Sequence, residues 1–150
     1  MLGAAVRVSG GRYQAGLALV DDAKLVAEQS LAAPKDVSLA GQLDELYRRT
    51  RDLISEWKPD ELVLSVTDHV GASKAAVARR AEGAILAAAG QKGLPMETWS
   101  GAKLRGAAYG KSKATNVKAA NHFNRALDKQ PSSKETGFAA AVARGYAEKT

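Results

Sequence analysis

Apolar residues alternate with polar or small ones through the first third of the chain. Ala4, Val6 and Val8, then Leu17 and Leu19, sit at strand spacing on either side of Gly10-Gly11. That period marks a strand with one buried face, and a Gly-Gly pair tolerates the positive φ of a tight hairpin. A second turn at Asp21-Asp22-Ala23 leads into KLVAEQSLA, so three antiparallel strands in a meander are predicted. After Pro34 the period changes. Leu39, Leu43, Leu46, Tyr47, Thr50, Leu53, Ile54 and Trp57 recur at helical spacing and predict the buried face of one long helix. Arg48, Arg49, Arg51, Asp52 and Glu56 cover its other side, and Lys58-Pro59-Asp60 ends it.

ELVLSV follows as a nearly continuous apolar strand, the pattern of a strand covered on both faces. An alanine-rich helix is predicted from about Ser73 to Ala89, closed by Gly90 and Gly93, and LPMETW reads as a fifth strand. The remainder is helical, with breaks expected at Gly106, Gly110 and Pro131 and with Tyr109 in a loop. The last helix opens at Ser132-Ser133-Lys134-Glu135, where Ser132 and Glu135 have the spacing of a capping box, and should bury Phe138, Val142 and Tyr146. The order βββαβαβ, with helical crossovers between the later strands, makes those pairs parallel. A single α/β domain over residues 1–150 is predicted, its five-stranded mixed sheet flanked by helices.

Composition narrows the chemistry. The chain has 150 residues and no cysteine, which excludes disulfides and thiolate metal sites. Its two histidines, His69 and His122, cannot build a histidine-rich zinc site. No apolar run approaches the ~20 residues needed to span a bilayer, and the N-terminus lacks the pattern of a secretion signal. A soluble protein of the cytoplasm or nucleoid, without a membrane partner, is expected. The net charge of +6 favours a polyanionic partner.

At residue level the chain resembles the RuvC family of Holliday-junction resolvases, within the RNase H-like superfamily. Four stretches carry the resemblance, in order and at nearly constant spacing: VRVSGGRYQAG, WKPDELVLS, ARRAEGAILAAAGQKGLPMETWSG and KLRGAAYGKSKATN. The resemblance implies an RNase H-like fold and a homodimer acting on a two-fold symmetric junction. The family cuts DNA with four carboxylates that hold two magnesium ions. Here the first aspartate falls on Ser9 and the central-strand glutamate on Ser65. The C-terminal pair falls on Glu135 and Phe138, and a lysine near the site falls on Asn116. One carboxylate of four survives, so neither a catalytic set, a metal site nor a cofactor is implied. A cap of the last helix is the structural alternative for Glu135, and solvated surface is the alternative for a replacement site at Asp68-His69. No histidine is placed to activate the two serines as nucleophiles.

Between Glu97 and Asp128 there is no acidic residue, while Lys103, Arg105, Lys111, Lys113, Lys118 and Arg125 fall in that interval. Among small residues, such a run suits close approach of a phosphate backbone. A solvated basic face is the alternative reading. Lys74, Arg79 and Arg80 on the preceding helix extend the candidate DNA-binding set. Few aromatics interrupt these charges, which fits duplex or branched DNA better than a single-strand stacking platform. Trp99 is expected in the core and Tyr109 on the surface. The combined expectation is a RuvC-like pseudo-nuclease that binds branched or duplex DNA without cleaving it. A divergent metal-dependent resolvase, and a protein-interaction module within a nucleoprotein assembly, are the two alternatives.

Overall fold

A computed structural model describes residues 1–66, 71–110 and 115–149. Strands β1 (Leu2–Ser9), β2 (Arg12–Asp21) and β3 (Lys24–Ala32) form the expected meander, its first turn made by Gly10 and Gly11 at φ 59° and 72°. Helix α1 (Leu39–Trp57) is capped by the Ser38 hydroxyl, which accepts from the Gly41 N–H at 3.1 Å. Strand β4 (Leu62–Val66) leads to α2 (Ala72–Gln91), then β5 (Met96–Ser100), α3 (Gly101–Tyr109), α4 (Asn116–Asn124) and α5 (Lys134–Lys149). The sheet order is β3-β2-β1-β4-β5, with β1–β2 and β2–β3 antiparallel and β1–β4 and β4–β5 parallel. The predicted α/β class and mixed sheet are borne out.

The pleat divides the core into two layers. Leu2, Ala4, Val6, Leu62 and Leu64 point into a cluster shared with Leu46 and Ile54 of α1 and Ala81 and Ile85 of α2. Ala5, Val63 and Trp99 point the other way, into a cluster with α3, α4 and α5. Helix α5 lies very close to the strands it covers. A Cβ on Gly3 would fall 1.8 Å from the Ala139 carbonyl oxygen, and one on Gly16 would fall 2.4 Å from the Glu135 carbonyl carbon. Only residues without a side chain allow that approach. Among the described residues no helix is long and apolar enough to cross a membrane.

Local details depart from the sequence pattern. Leu39 keeps helical spacing but is exposed; the buried residues of α1 are Leu46, Thr50 and Ile54, all beyond its first turn. Gly106 does not break a helix; it lies inside α3, whose end is Gly110. Tyr109 is the last residue of that helix rather than part of a loop, although it is exposed as expected. Trp99 is buried, its ring edge-on to Tyr146 with centroids 6.0 Å apart. Val142 is fully buried, whereas Phe138 and Tyr146 are half-buried at the edge of the second cluster.

Candidate functional site

The parallel strands β1, β4 and β5 end at the same edge of the sheet, where open α/β sheets generally hold their ligands. Three of the sequence-predicted positions belong to the α5 side of this edge. Ser65 is buried on β4, in register with Ala5 of β1, which is in turn opposite Gly16 of β2. The backbone of Glu135 lies over Gly16, so Ser65, Ala5, Gly16 and Glu135 form one row across the sheet. Ser9 ends β1 on the same face and is exposed. Beside it, Arg12, Tyr13 and Lys35 line a shallow cleft. The Tyr13 hydroxyl donates to the Gln42 carbonyl at 2.9 Å, and burial, reinforced by Glu45, pushes its pKa up to about 12.

The residue at the centre of this site was not among the sequence-predicted set. Arg7 lies on β1 one pleat repeat before Ser9, on the same side of the strand, and its Nη1 donates to Glu135 Oε2 at 3.3 Å. The carboxylate side chain is only 9% exposed while the guanidinium side chain is 40% exposed. A signal for this was present in the alternation: Arg7 is a charged residue on the face of β1 that carries Gly3 and Ala5 inward.

The helix cap sits one residue later than Ser132 and Glu135 predict, which leaves the Glu135 carboxylate free for Arg7. Ser133 Oγ accepts from the Thr136 N–H at 3.1 Å, and Thr136 Oγ1 accepts from the Ser133 N–H at 3.1 Å. The reciprocal capping box is therefore Ser133–Thr136. Glu135 precedes buried Ala139 by four residues, so both lie on the helix face that covers the sheet, and its carboxylate is not used in the cap. Ser132 is diverted to Glu28, whose Oε1 accepts from the Ser132 N–H at 2.8 Å, the Ser132 hydroxyl at 2.7 Å and the Thr136 hydroxyl at 2.9 Å. Partial burial would raise the Glu28 pKa, but these bonds and nearby Lys129 outweigh it and hold the carboxyl below its ordinary value.

The residues at the four aligned positions do not fit two magnesium ions. Magnesium is held by charged oxygens in near-octahedral order and gives up its water reluctantly. Ser9 and Ser65 bring neutral hydroxyls, Phe138 brings no oxygen, and Glu135 already faces a guanidinium. Phe138 packs instead beside α4, in a groove shared with Val117, Ala120 and Asn124. Among the described residues, no three His, Cys, Asp or Glu side chains gather as a metal site. Asp68 and His69 lie outside the described residues.

The basic residues divide by what they touch. Lys103, in the first turn of α3, and Lys118, in the first turn of α4, are exposed. The Lys118 carbonyl accepts from the Tyr109 hydroxyl at 3.1 Å, which ties the end of α3 to the start of α4. Arg105 is half-buried, its Nη1 donating to Asn116 Oδ1, so the two are brought together as a pair between α3 and α4. On α2, Lys74 and Arg80 are exposed, while Arg79 is bound at 2.8 Å to the buried carboxylate of Glu82. Lys111 and Lys113 lie outside the described residues.

No protein-family model matches the chain. The crossover junction endodeoxyribonuclease RuvC of Halorhodospira halophila is 33% identical over 108 residues, a stretch that spans 69% of this chain and 65% of that relative. Among solved structures, Thermus thermophilus RuvC in complex with a Holliday junction substrate superposes with a TM-score of 0.80 at 17% identity, covering 97% of this chain and 91% of that one. A second Thermus thermophilus RuvC structure gives a TM-score of 0.77 at 17% identity, over 98% and 93% of the two chains. The yeast mitochondrial Holliday junction resolvase gives 0.55 at 12% identity, over 97% and 76%. The sheet order and helix placement thus define an α/β protein of the RNase H-like class. Over the 108 matched residues the chain resembles RuvC in sequence, and over nearly its whole length it shares the RuvC fold.

Proposed function

We propose that this chain binds branched or duplex DNA and holds it without cutting it. The observation that carries this reading is the fate of the surviving carboxylate: Glu135 is buried against Arg7 instead of standing open to metal. Magnesium-assisted hydrolysis needs cations that activate water and stabilise the leaving oxygen, and this arrangement has no charged oxygens to spare for them. The DNA face is the edge where β1 and β4 end; Lys74 and Arg80 on α2, Lys103 on α3 and Lys118 on α4 are exposed cations, and Lys111 and Lys113 belong to the same basic run in the sequence. Arg105 and Arg79 act there chiefly through Asn116 and Glu82, as supports of the surface.

The reading extends to a homodimer, the usual symmetry of a protein that meets a two-fold symmetric target. The exposed side of α2 carries Ala87 and Gly90, which lets a second helix come close. Such a protein protects or bridges junctions, or presents them to other factors, in the cytoplasm or on the nucleoid.

The test is a gel shift and a cleavage assay on a four-way junction and a matched duplex, each with EDTA, magnesium or manganese. Retarded, uncut DNA in all three conditions is expected. Nicking that requires the divalent ion and is lost in Glu135→Gln would refute the non-cleaving reading, and absence of any shift would refute DNA binding.

A further inference from the structure

We infer that Arg7 is the built-in cation of the former metal centre and a direct, metal-independent contact for one DNA phosphodiester. The inference rests on the DNA-binding reading above. It starts from charge balance: four carboxylates with two divalent ions sum to zero, and so do Glu135 with Arg7. The cation here is covalently part of β1.

Geometry gives that cation something further to do. A pair that served only to neutralise Glu135 would be covered on both sides. Instead the carboxylate is 9% exposed and the guanidinium 40% exposed, so the pair has an inner acidic half and an outer basic half. A guanidinium carries five N–H donors in a planar fork. Nη1 is bound to Glu135, and among the described residues the structure shows no other hydrogen-bond partner for Arg7. The remaining donors form an oriented fork of the kind that binds phosphate bidentately. Glu135 supplies the orientation, because a side chain already held by one bond loses less freedom when it takes a ligand. The surroundings suit an anion. Ser9, about 7 Å further along the strand, is an exposed hydroxyl on the same face. Arg12, paired with Ser9 across the hairpin, and Lys35 line the adjoining cleft. A magnesium ion on Glu135 would have to displace Arg7, so phosphate contact and metal loading exclude each other at this place.

The experiment measures junction affinity in EDTA across a salt series for the wild type, Arg7→Gln, Glu135→Gln and the double variant, with circular dichroism melts confirming that each is folded. Loss of one phosphate contact makes the log affinity–log salt slope shallower by ~0.9. Loss of a charge-assisted bond also lowers affinity about ten-fold at moderate salt. Arg7→Gln should show both changes. Glu135→Gln keeps an amide oxygen that can accept from Arg7 and so preserve its orientation, while it removes a competing anion; it should bind at least as tightly as wild type. The double variant separates the phosphate contact from mere neutralisation. A phosphate contact predicts that Arg7→Gln weakens binding in the Glu135→Gln background too. Neutralisation alone predicts that the double variant binds like wild type, and that result would overturn the inference. Wild-type binding with an unchanged slope and affinity in Arg7→Gln would overturn the inference while leaving DNA binding intact. No wild-type binding in EDTA or in magnesium would overturn both. Binding that appears only with magnesium would overturn the inference specifically, since a resident guanidinium makes the ion unnecessary.

Discussion

Replacing Gly16 with alanine sets one methyl group against the backbone of α5. An ideal Cβ at this position lies 2.4 Å from the Glu135 carbonyl carbon and 2.5 Å from the Thr136 nitrogen. Carbon atoms in contact rest at about 3.5–4.0 Å, so strand and helix must separate by roughly 1 Å. Backbone cannot rotate away as a side-chain tip can, and overpacking of this kind costs about 1–3 kcal/mol. In a domain of this size each kcal/mol moves the melting temperature by roughly 2–4 °C, so a fall of about 2–12 °C is expected in Gly16→Ala. Gly83 provides the control. It lies on the exposed side of α2, where an added Cβ meets nothing within 4 Å. Alanine there improves helix propensity by about 1 kcal/mol, so Gly83→Ala should melt roughly 2–4 °C higher. The same chemical change thus has opposite signs on the two faces. Thermal unfolding followed by circular dichroism measures both. An unchanged or raised midpoint in Gly16→Ala would mean that α5 does not seat on β2 as described. The row that brings Glu135 to Arg7 would then be wrong as well.

Three further outcomes are expected. Thr50 is fully buried and its hydroxyl has no hydrogen-bond partner among the described residues, so Thr50→Val keeps the shape, removes the unmet group and should raise stability by about 1 kcal/mol in urea titrations. The folded-state pKa of Tyr13, about 12, stands above its ordinary value of 10.0. Its contribution is therefore complete below pH 10 and lost as pH rises toward 12; Tyr13→Phe should show a smaller loss of stability than wild type over that window. Glu28 has the opposite sign. Its lowered pKa contributes stability above the ordinary value of 4.5 that disappears as pH falls through the folded-state value, so Glu28→Gln should flatten the acid limb of the stability curve. A parallel acid limb in that variant would count against the Ser132–Thr136 latch.

The sequence by itself determined the layers of this protein and the side chains that stand at the aligned positions. Period-two alternation around Gly10-Gly11 specifies a hairpin, and the change of period after Pro34 specifies a crossover helix, because each pattern can bury its apolar residues in one geometry only. The identity of Ser9, Ser65 and Phe138 is likewise written in the chain, and whatever the fold does, these side chains bring no carboxylate. What only the tertiary structure decided is how the remaining charges are used. Arg7 and Glu135 are separated by 128 positions, and nothing local to either predicts their pairing. It depends on α5 resting directly on Gly3 and Gly16, and on a cap that falls at Ser133 rather than Ser132. Glu135 shares the α5 face of Ala139 and Val142, and with the capping box made by Ser133 and Thr136 its carboxylate is left for Arg7 instead of turning back to Ser132. Arg105 and Arg79 follow the same logic. Both read as free cations along the chain, yet contacts at i+11 and i+3 commit them to Asn116 and Glu82. Patterns of burial are local and periodic, and so are legible from sequence. The partners of buried charges are set by long-range packing, where displacements of an ångström decide whether a bond forms.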